Sequence, residues 1–502
     1  MIQKGLQGFE TFYIFVDNND NNTKRDNMIR RDFLKSIGLV TAGLAITDPF
    51  AMARGLTAPS AEELAKLSPE ELIHYPLRSL RPDTGGKRIT GIIVGAGNRG
   101  RIYAAYAERY PENFKIVGVA EPIESRRDAM INKHGIPKEN AFIGFKELLE
   151  QPKLADVVVI ATPDDLHYEP CMKALELGYD VLLEKPISPT ERECRNILRQ
   201  TEKYGGIVAV CHVLRYAPYF IALREYLKSG AIGEVVSIQH MEPIESAHMA
   251  HSYVRGKWRI EKETTPIILA KSCHDLDILR WLMDEPCKVI SAEGSLHLFK
   301  AENKPEGAPF KCTDGCPHEG TCPYSAIDIY VRRKIHLGVF DLKDRNDDEE
   351  ILEKLRTTEY GRCVFQCDND QPDHYVTTML FEKDKTASFT MDAFTPWGGR
   401  RTRIMGTNGF IEGDMSKFVS WDFRTKKTKV WSSEVEELEE YKGSGHGGGD
   451  WALVRDFLEA VAAQDQSKLS STLEASVESH VMGFAAEKSR KSMRKTRIKM
   501  RD

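Results

Sequence analysis

No stretch of this sequence holds the about 20 consecutive apolar residues that a membrane-spanning helix requires. The one apolar run near the front, Ser36 to Ile46, is far shorter than that. An excess of positive charge is missing too. Lys and Arg number 70 against 75 Asp and Glu, a formal net charge of −5, whereas nucleic-acid-binding domains are normally strongly basic. Nucleic acid is therefore not expected as a partner. The single basic run, residues 488–502 (KSRKSMRKTRIKMRD), reads as a solvated, frayed terminus. Internal repeats are absent, and low complexity is confined to the Asn-rich start. The ten cysteines include no Cys-x2-Cys pair, which removes the strongest zinc signature.

What remains is ordinary globular composition, 41% hydrophobic and 29% charged over 502 residues, long enough for two domains with appendages. Residues 1–27 are rich in Asn and Asp, precede a second Met, and fit neither a signal nor a fold. They are expected to be a non-native upstream extension, with Met28 as the true start. Residues 28–53 combine a charged beginning, the short apolar run and the small-x-small end Ala51-Met52-Ala53, the layout of an export signal. Arg30-Arg31-x-Phe33-Leu34-Lys35 resembles the twin-arginine signal, with Ile29 where Ser or Thr is usual, so a periplasmic location is expected. Residues 54–86 read as a short helix (60–77, SAEELAKLSPEELIHYPL) and a linker ending at Gly85-Gly86.

From residue 87 the pattern becomes strand, turn, helix, repeated. Residues 88–95 (RITGIIVG) form a continuous β-branched run, the mark of a strand buried on both faces. Residues 113–122, 155–163, 179–186 and 205–213 repeat it, with helical stretches such as 126–135 and 167–178 between. Alternating strands and helices of this kind make an α/β domain with a parallel, doubly wound sheet, expected over 87–215. Beyond 216, a helix (217–230) leads into period-two alternation at 235–243, 288–296, 375–383, 386–394 and 401–415, the last turning at Asn408-Gly409. This predicts a second, α+β domain over 216–440 with a large, mostly antiparallel open sheet and a Cys-containing insertion at about 300–370. Residues 441–502 follow as a Gly-rich loop and helices.

Gly95-Ala96-Gly97-Asn98-Arg99-Gly100 directly follows the first strand and opens a helix, which gives an otherwise weak motif its weight. The first Gly suits a tight turn, the second a close approach to a pyrophosphate, and the third close helix–strand packing. The helix N-terminus then offers N–H groups to the phosphates. Glu121 ends the second strand, where a carboxylate accepts from a ribose 2′-hydroxyl and repels a 2′-phosphate, favouring NAD over NADP. Arg126 and Arg127 stand near enough in sequence to turn toward a phosphate instead.

Ala161-Thr162-Pro163 with His167, then Glu184-Lys185-Pro186, then His212-Val213-Leu214-Arg215-Tyr216-Ala217-Pro218, resemble the Gfo/Idh/MocA oxidoreductases, strongly over about 87–300 and loosely beyond. The resemblance implies a Rossmann domain, a sheet-bearing second domain, and a nicotinamide facing a sugar or polyol at their interface. It places Thr162, Pro163, His167, Glu184 and Lys185 beside the cofactor, which export would require to be tightly bound. Lys185 closes a buried strand at the ligand-binding edge of the sheet, where a desolvated amine suits proton transfer. His274 and Asp277 match the family's His-x-x-Asp. The acid that many members carry four residues before the histidine is Ala270 here, and Lys271 is a candidate for its polar role. Residues 267–282 read as one helix, with Ile268, Leu269, Leu276, Leu279 and Leu282 as core stripe and Lys271, His274 and Asp275 on another face.

Two further segments are candidate site walls. His251–Arg259, with Tyr253, Arg255 and Trp258, lies between the first sheet strand and that helix. The glycine-rich Gly445–Asp450 segment lets His446 approach a ligand, Asp450 being readable as a helix N-cap. Together with His212 and Arg215 these complete the expected substrate contacts. Cys171, Cys194, Cys211, Cys273 and Cys287 read as core. Cys312, Cys316 and Cys322 cluster with His318, and Cys363 and Cys367 follow. Disulfides, a structural metal site and free thiols all remain open for these five, and no catalytic metal is expected.

The leading function is hydride transfer between NAD and a sugar carbinol, Lys185 acting as acid/base with His274 sharing or relaying the proton. The alternative is a hydrolase or lyase that oxidises the sugar transiently and consumes no cofactor overall. Export gives that option weight, because a protein outside the cytoplasm must keep and recycle its nicotinamide. A non-catalytic sugar sensor on the same fold is a third class. A homo-oligomer through the open sheet face is expected.

Overall fold

The continuous β-branched runs become six parallel strands: β1 (Ile89–Val94), β2 (Phe114–Ala120), β3 (Ala141–Phe142), β4 (Val157–Ile160), β5 (Asp180–Leu183) and β6 (Val208–Val210). They are ordered β3-β2-β1-β4-β5-β6, and every neighbouring pair is parallel. This computed structural model describes residues 64, 66–68, 70–434, 439–441 and 443–500. The export signal and upstream extension read at 1–53 lie outside the described residues. Every residue of β4, β5 and β6 is buried, which is why those runs show no alternation. Helices α1 (Asn98–Arg109), α2 (Glu124–His134), α3 (Tyr168–Glu176) and α4 (Glu191–Tyr204) make crossovers. Strand order reverses between β1 and β4, so the crevice for a ligand opens at their carboxyl ends.

After α5 (Pro218–Lys228) comes the second sheet: β7 (Val235–Pro243), β8 (Cys287–Ser295), β9 (His374–Phe381), β10 (Thr386–Asp392), β11 (Arg401–Gly406), β12 (Gly409–Gly413), β13 (Lys417–Asp422), β14 (Thr428–Ser432) and β15 (Thr496–Arg497). The order is β14-β13-β12-β11-β7-β10-β9-β8-β15. Only β7 and β10 pair in parallel; the other pairs are antiparallel. Buried and accessible residues alternate along β9 and β10, one face lying on a core that includes Leu276, Leu279 and Leu282 of α6 (Cys273–Met283). Full burial of each such leucine is worth about 1.5–3 kcal/mol.

Three expectations change. Residues 66–68 and 70–77 are turn and extended chain rather than helix: Leu72 bridges Val430 on edge strand β14, and Ile73 packs on the sheet-lobe core, so tertiary burial outweighs helical spacing. The segment 267–282 is broken, Ile267–Ala270 and α6 being separated by Lys271 and Ser272. Up to Met500 the basic tail is not frayed. Thr496 and Arg497 pair with β8, Arg195 donates to the carbonyls of Lys499 and Met500, and Ile498 and Met500 pack on the core beside the parallel sheet. The C-terminal helices α8 (Gly449–Ala463) and α9 (Leu473–Ser492) pack into all three cores. Leu453, Phe457 and Val461 of α8 join the core on one side of the parallel sheet. Leu473, Val477 and Val481 of α9 fill the other side, while its Met482, Ala485 and Ala486 belong to the core under the second sheet. The insertion carries α7 (Asp348–Thr357) and otherwise short turns.

Candidate active site

The turn between β1 and α1 is fixed by its glycines. Gly95 takes φ +92°, and a Cβ there would lie 2.7 Å from the Ala161 carbonyl oxygen. A Cβ on Gly100 would lie 2.1 Å from the Gly95 carbonyl oxygen, so helix and turn close only around hydrogen. At Gly97 a Cβ would meet nothing within 4 Å, and no side chain caps α1. This leaves room and first-turn N–H groups for a diphosphate. Glu121 is buried, its two oxygens accepting from Ala96 N–H at 2.7 Å and Ile123 N–H at 3.0 Å. The residues present therefore fit a dinucleotide.

That turn opens onto a cleft of about 850 Å³, within the range of small-molecule sites. Its walls include Gly95, Gly97, Asn98, Arg99, Glu121, Arg126, Thr162, Pro163, Glu184 and Lys185 from the first lobe, Trp258 and His274 from the second, and His446. Gly100 instead packs inside the turn. Lys185 Nζ donates to the Ala270 carbonyl at 3.0 Å, at the position where the resemblance leads one to expect an acidic side chain. Glu184 accepts from Arg99 Nε and the Tyr103 hydroxyl, both at 2.6 Å, and from the Lys185 N–H at 2.9 Å. Burial pushes its carboxyl up, but Arg99 and Lys185 more than reverse this and hold it below 4.5. His274 is 5% exposed and its Nδ1 has no partner. Burial first, then Lys185, His446, His212 and Arg400, push its pKa well below 6.5, so at neutral pH it is an uncharged ring. Trp258 donates its indole N–H to Asp164 at 3.0 Å and lies under the Lys257 ammonium.

Other residues picked from sequence do not line the cleft. Arg215 and Asp277, 3% and 1% exposed, form a bidentate pair at 2.6 Å for each bond; two buried charges satisfy each other. His212 is fully buried with its Nδ1 3.6 Å from Asp277, and burial lowers its pKa to about 4. His167 braces two loops, its ring nitrogens 2.7 Å from the Pro186 oxygen and 3.0 Å from the Thr162 oxygen. Lys271 pairs with buried Glu242 at 3.3 Å, and burial lowers its pKa. Tyr253 is buried against Trp258. Arg255 anchors the insertion, donating to the carbonyls of Arg362 and Tyr324, both at 2.7 Å. Asp450 is no N-cap: that place is Gly448, and the carboxylate serves Arg99 and His446.

All ten cysteines are thiols. Cys312, Cys316, Cys322 and Cys363 line one small cavity with Arg255. Among the described residues no group of three or more His, Cys, Asp or Glu is placed to hold a metal ion, and no helix is long and apolar enough to cross a membrane.

Sequence reasoning missed Lys257, Cys211 and, from the insertion, Gly338, Val339 and Tyr360, all of which line the cleft. Lys257 adjoins Trp258, which was the available signal. The insertion residues carry none, because only folding brings them to the mouth.

Residues 89–212 match the Gfo/Idh/MocA model described as oxidoreductase family, NAD-binding Rossmann fold. Residues 224–500 match that family's C-terminal alpha/beta domain. "Putative oxidoreductase YteT" of Bacillus subtilis (strain 168) is 26% identical over 386 residues, 73% of this chain and 88% of the relative. The 2,7-anhydro-N-acetylneuraminate hydratase of Escherichia coli (strain K12) is 27% identical over 204 residues, 40% of this chain and 51% of its own length. Among solved structures, levoglucosan dehydrogenase in complex with NADH and levoglucosan superposes with a TM-score of 0.62 at 16% identity, over 83% of this chain and 100% of that one. This last likeness is one of fold.

Proposed function

This chain belongs to the Gfo/Idh/MocA oxidoreductase family, and from that premise we propose that it oxidises or reduces a carbinol of a sugar or polyol, with NAD as the preferred cofactor. The observation that carries the reading is the convergence on one cleft of the Gly95–Gly100 turn, Lys185 and two histidines from distant segments. When bound, the nicotinamide supplies the hydride acceptor or donor. Gly97 and the first turn of α1 bind its diphosphate, and Glu121 favours a free ribose 2′-hydroxyl over a phosphorylated one. Lys185 holds the proton of the reacting hydroxyl at Nζ, oriented by the Ala270 carbonyl. Trp258 offers a flat apolar face at the substrate end, and its bond to Asp164 spans the two lobes.

The test is a panel of sugars, polyols and glycosides assayed with and without added NAD, following absorbance of the reduced nicotinamide. Growth of that band with at least one free sugar or polyol is the expected result. No binding of NAD on titration would refute the reading.

A second reading, transient oxidation with elimination and no net cofactor consumption, draws support from the similarity to a hydratase over 204 residues. It predicts product formation from a glycoside with no growth of the absorbance band. The twin-arginine motif supports export with the cofactor already loaded. Val376, 46% exposed and on the face of β9 turned away from the core, supports self-association through the open sheet face.

A further inference from the structure

Two histidines reach the cleft, and their surroundings differ in kind. His274 is deep, its Nδ1 unpartnered, with Lys185 among the charges around it. His446 is 37% exposed at the side chain, and its Nδ1 lies 3.0 Å from Oδ1 of Asp450, a carboxylate with no exposure at all. The rings stand 5.8 Å apart. Asp450 is itself gripped by Arg99, whose Nη2 donates to Oδ1 at 2.8 Å and Nη1 to Oδ2 at 3.1 Å. Burial would raise the Asp450 carboxyl, yet the bonds to His446 and Arg99 hold it well below 3.8. It is an anion throughout the working range.

The loop leaves His446 little freedom. A Cβ on Gly445 would sit 2.2 Å from Asp450 Oδ2, and one on Gly449 2.1 Å from the Val213 carbonyl oxygen. His446 itself is held at φ +53°, a backbone region that a non-glycine residue occupies at a cost of order 1–3 kcal/mol and that clusters at functional sites. With Nδ1–H donated to Asp450, the tautomer is fixed and the Nε2 lone pair is free.

We propose that His446, oriented by Asp450, is the histidine that exchanges the reaction proton between the Lys185 end of the cleft and solvent, and that His274 is a neutral hydrogen-bonding ring. The proposal rests on the reading of the cleft as a site of carbinol oxidation. In that reaction the C–H electron pair leaves with the hydride, to the nicotinamide. The O–H pair becomes the second bond of the carbonyl, and the released proton passes by way of Lys185 Nζ to His446 Nε2 and then to water. A proton arriving at His446 meets a carboxylate at 3.0 Å. One arriving at His274 finds no acceptor on Nδ1, with His446, His212 and Arg400 opposing it. The charged groups around His446 are Asp450, Arg99 and, beyond them, Glu184 and Lys185.

His446→Gln keeps size and polarity at a half-exposed site. It is expected to lower kcat about 10²-fold with KM and NAD affinity within a factor of about three, and added imidazole should restore much of the loss. Independently of turnover, 15N-histidine NMR of the NAD-loaded protein, assigned by the signal lost in His446→Gln, should show the Nδ1–H tautomer for His446. Asp450→Asn should scramble that tautomer. An unchanged kcat in His446→Gln beside a disabled Lys185→Ala would overturn the proposal, as would an Nε2–H tautomer of His446 in the wild type. If the wild type turns over no carbinol, the reading of the reaction fails, whereas the NMR result still decides whether Asp450 orients His446.

Discussion

Asp277→Asn tests whether the second acidic position of the His-x-x-Asp segment acts in chemistry or in assembly. Asp277 and Arg215 are 1% and 3% exposed and joined by two bonds of 2.6 Å; the only further polar contact of that guanidinium among the described residues is a bond to the Ser470 carbonyl. The substitution keeps the shape but leaves a buried cation without its anion, a change that costs about 3–5 kcal/mol. For a unit of this size, with a urea dependence of roughly 3 kcal/mol per molar, the unfolding midpoint should fall by about 1–2 M. Replacing both partners, Arg215→Met with Asp277→Leu, removes the two charges together and should recover a large part of the loss. The pH dependence has a definite sign. Burial raises the Asp277 carboxyl, but Arg215 and His212 pull it below its ordinary 3.8. The pair therefore stabilises fully above the unfolded carboxylate range and loses its contribution as pH falls through the lower folded value. Wild type and Asp277→Asn should differ most near neutral pH and converge in acid. Urea unfolding followed by tryptophan fluorescence at several pH values measures this. A midpoint shift under about 0.3 M at pH 7, or a gap that stays constant into acid, would refute the reasoning.

Lys185→Ala should lose about 10²–10⁴-fold in turnover while still binding NAD by calorimetry, and Lys185→Arg should not rescue it because guanidinium does not give up its proton. Gly100→Ala drives a methyl to 2.1 Å from the Gly95 oxygen; it should destabilise by about 1–3 kcal/mol and abolish NAD binding, and intact binding would show that the turn tolerates more than its geometry allows. Arg30→Lys with Arg31→Lys should retain the protein in the cytoplasm, as cell fractionation would reveal.

The parallel sheet was legible because its strands are unbroken β-branched runs. Five of six were readable, and the sixth, β3, is two residues long. In the second sheet the strands with clean alternation could be read, whereas β13 (KFVSWD) carries charge on both faces and β14 (TKVWS) is five residues with its last three all buried. β15 exists only because β8 offers it an edge. At the site, the glycine turn and Lys185 announce themselves by position relative to strands. Arginines do not. Arg99, Arg215 and Arg255 look alike in sequence, yet one lines the cleft, one completes a buried pair and one holds the insertion. Their partners lie 351, 62 and 107 residues away, and no local pattern encodes that separation. The same applies to Asp450, where a helix-start signal concealed a carboxylate whose role is set by α1.

Burying Glu184 and Asp450 around one guanidinium is costly, since each ion loses several kcal/mol of hydration and their mutual repulsion remains. A close-packed apolar triad in the same space would be at least as stable, so stability alone does not account for it. Geometry does. Arg99 stands on the first turn of the helix that receives the diphosphate, Glu184 directly precedes Lys185 and accepts its N–H, and Asp450 fixes the ring of His446. Through one side chain, the phosphate turn, the lysine and the outer histidine are referred to a common point, although Glu184 and Asp450 lie 85 and 351 residues from Arg99. Proton transfer falls off steeply once donor and acceptor leave hydrogen-bond reach, and a hydride acceptor must lie at a set distance from the same carbon. A rigid ionic hub beneath the cleft meets both demands with the cofactor end as its origin. By this argument Arg99→Met, which leaves the buried carboxylates of Glu184 and Asp450 without their cation, should lower stability by about 3–5 kcal/mol in urea unfolding and loosen Lys185 and His446 together.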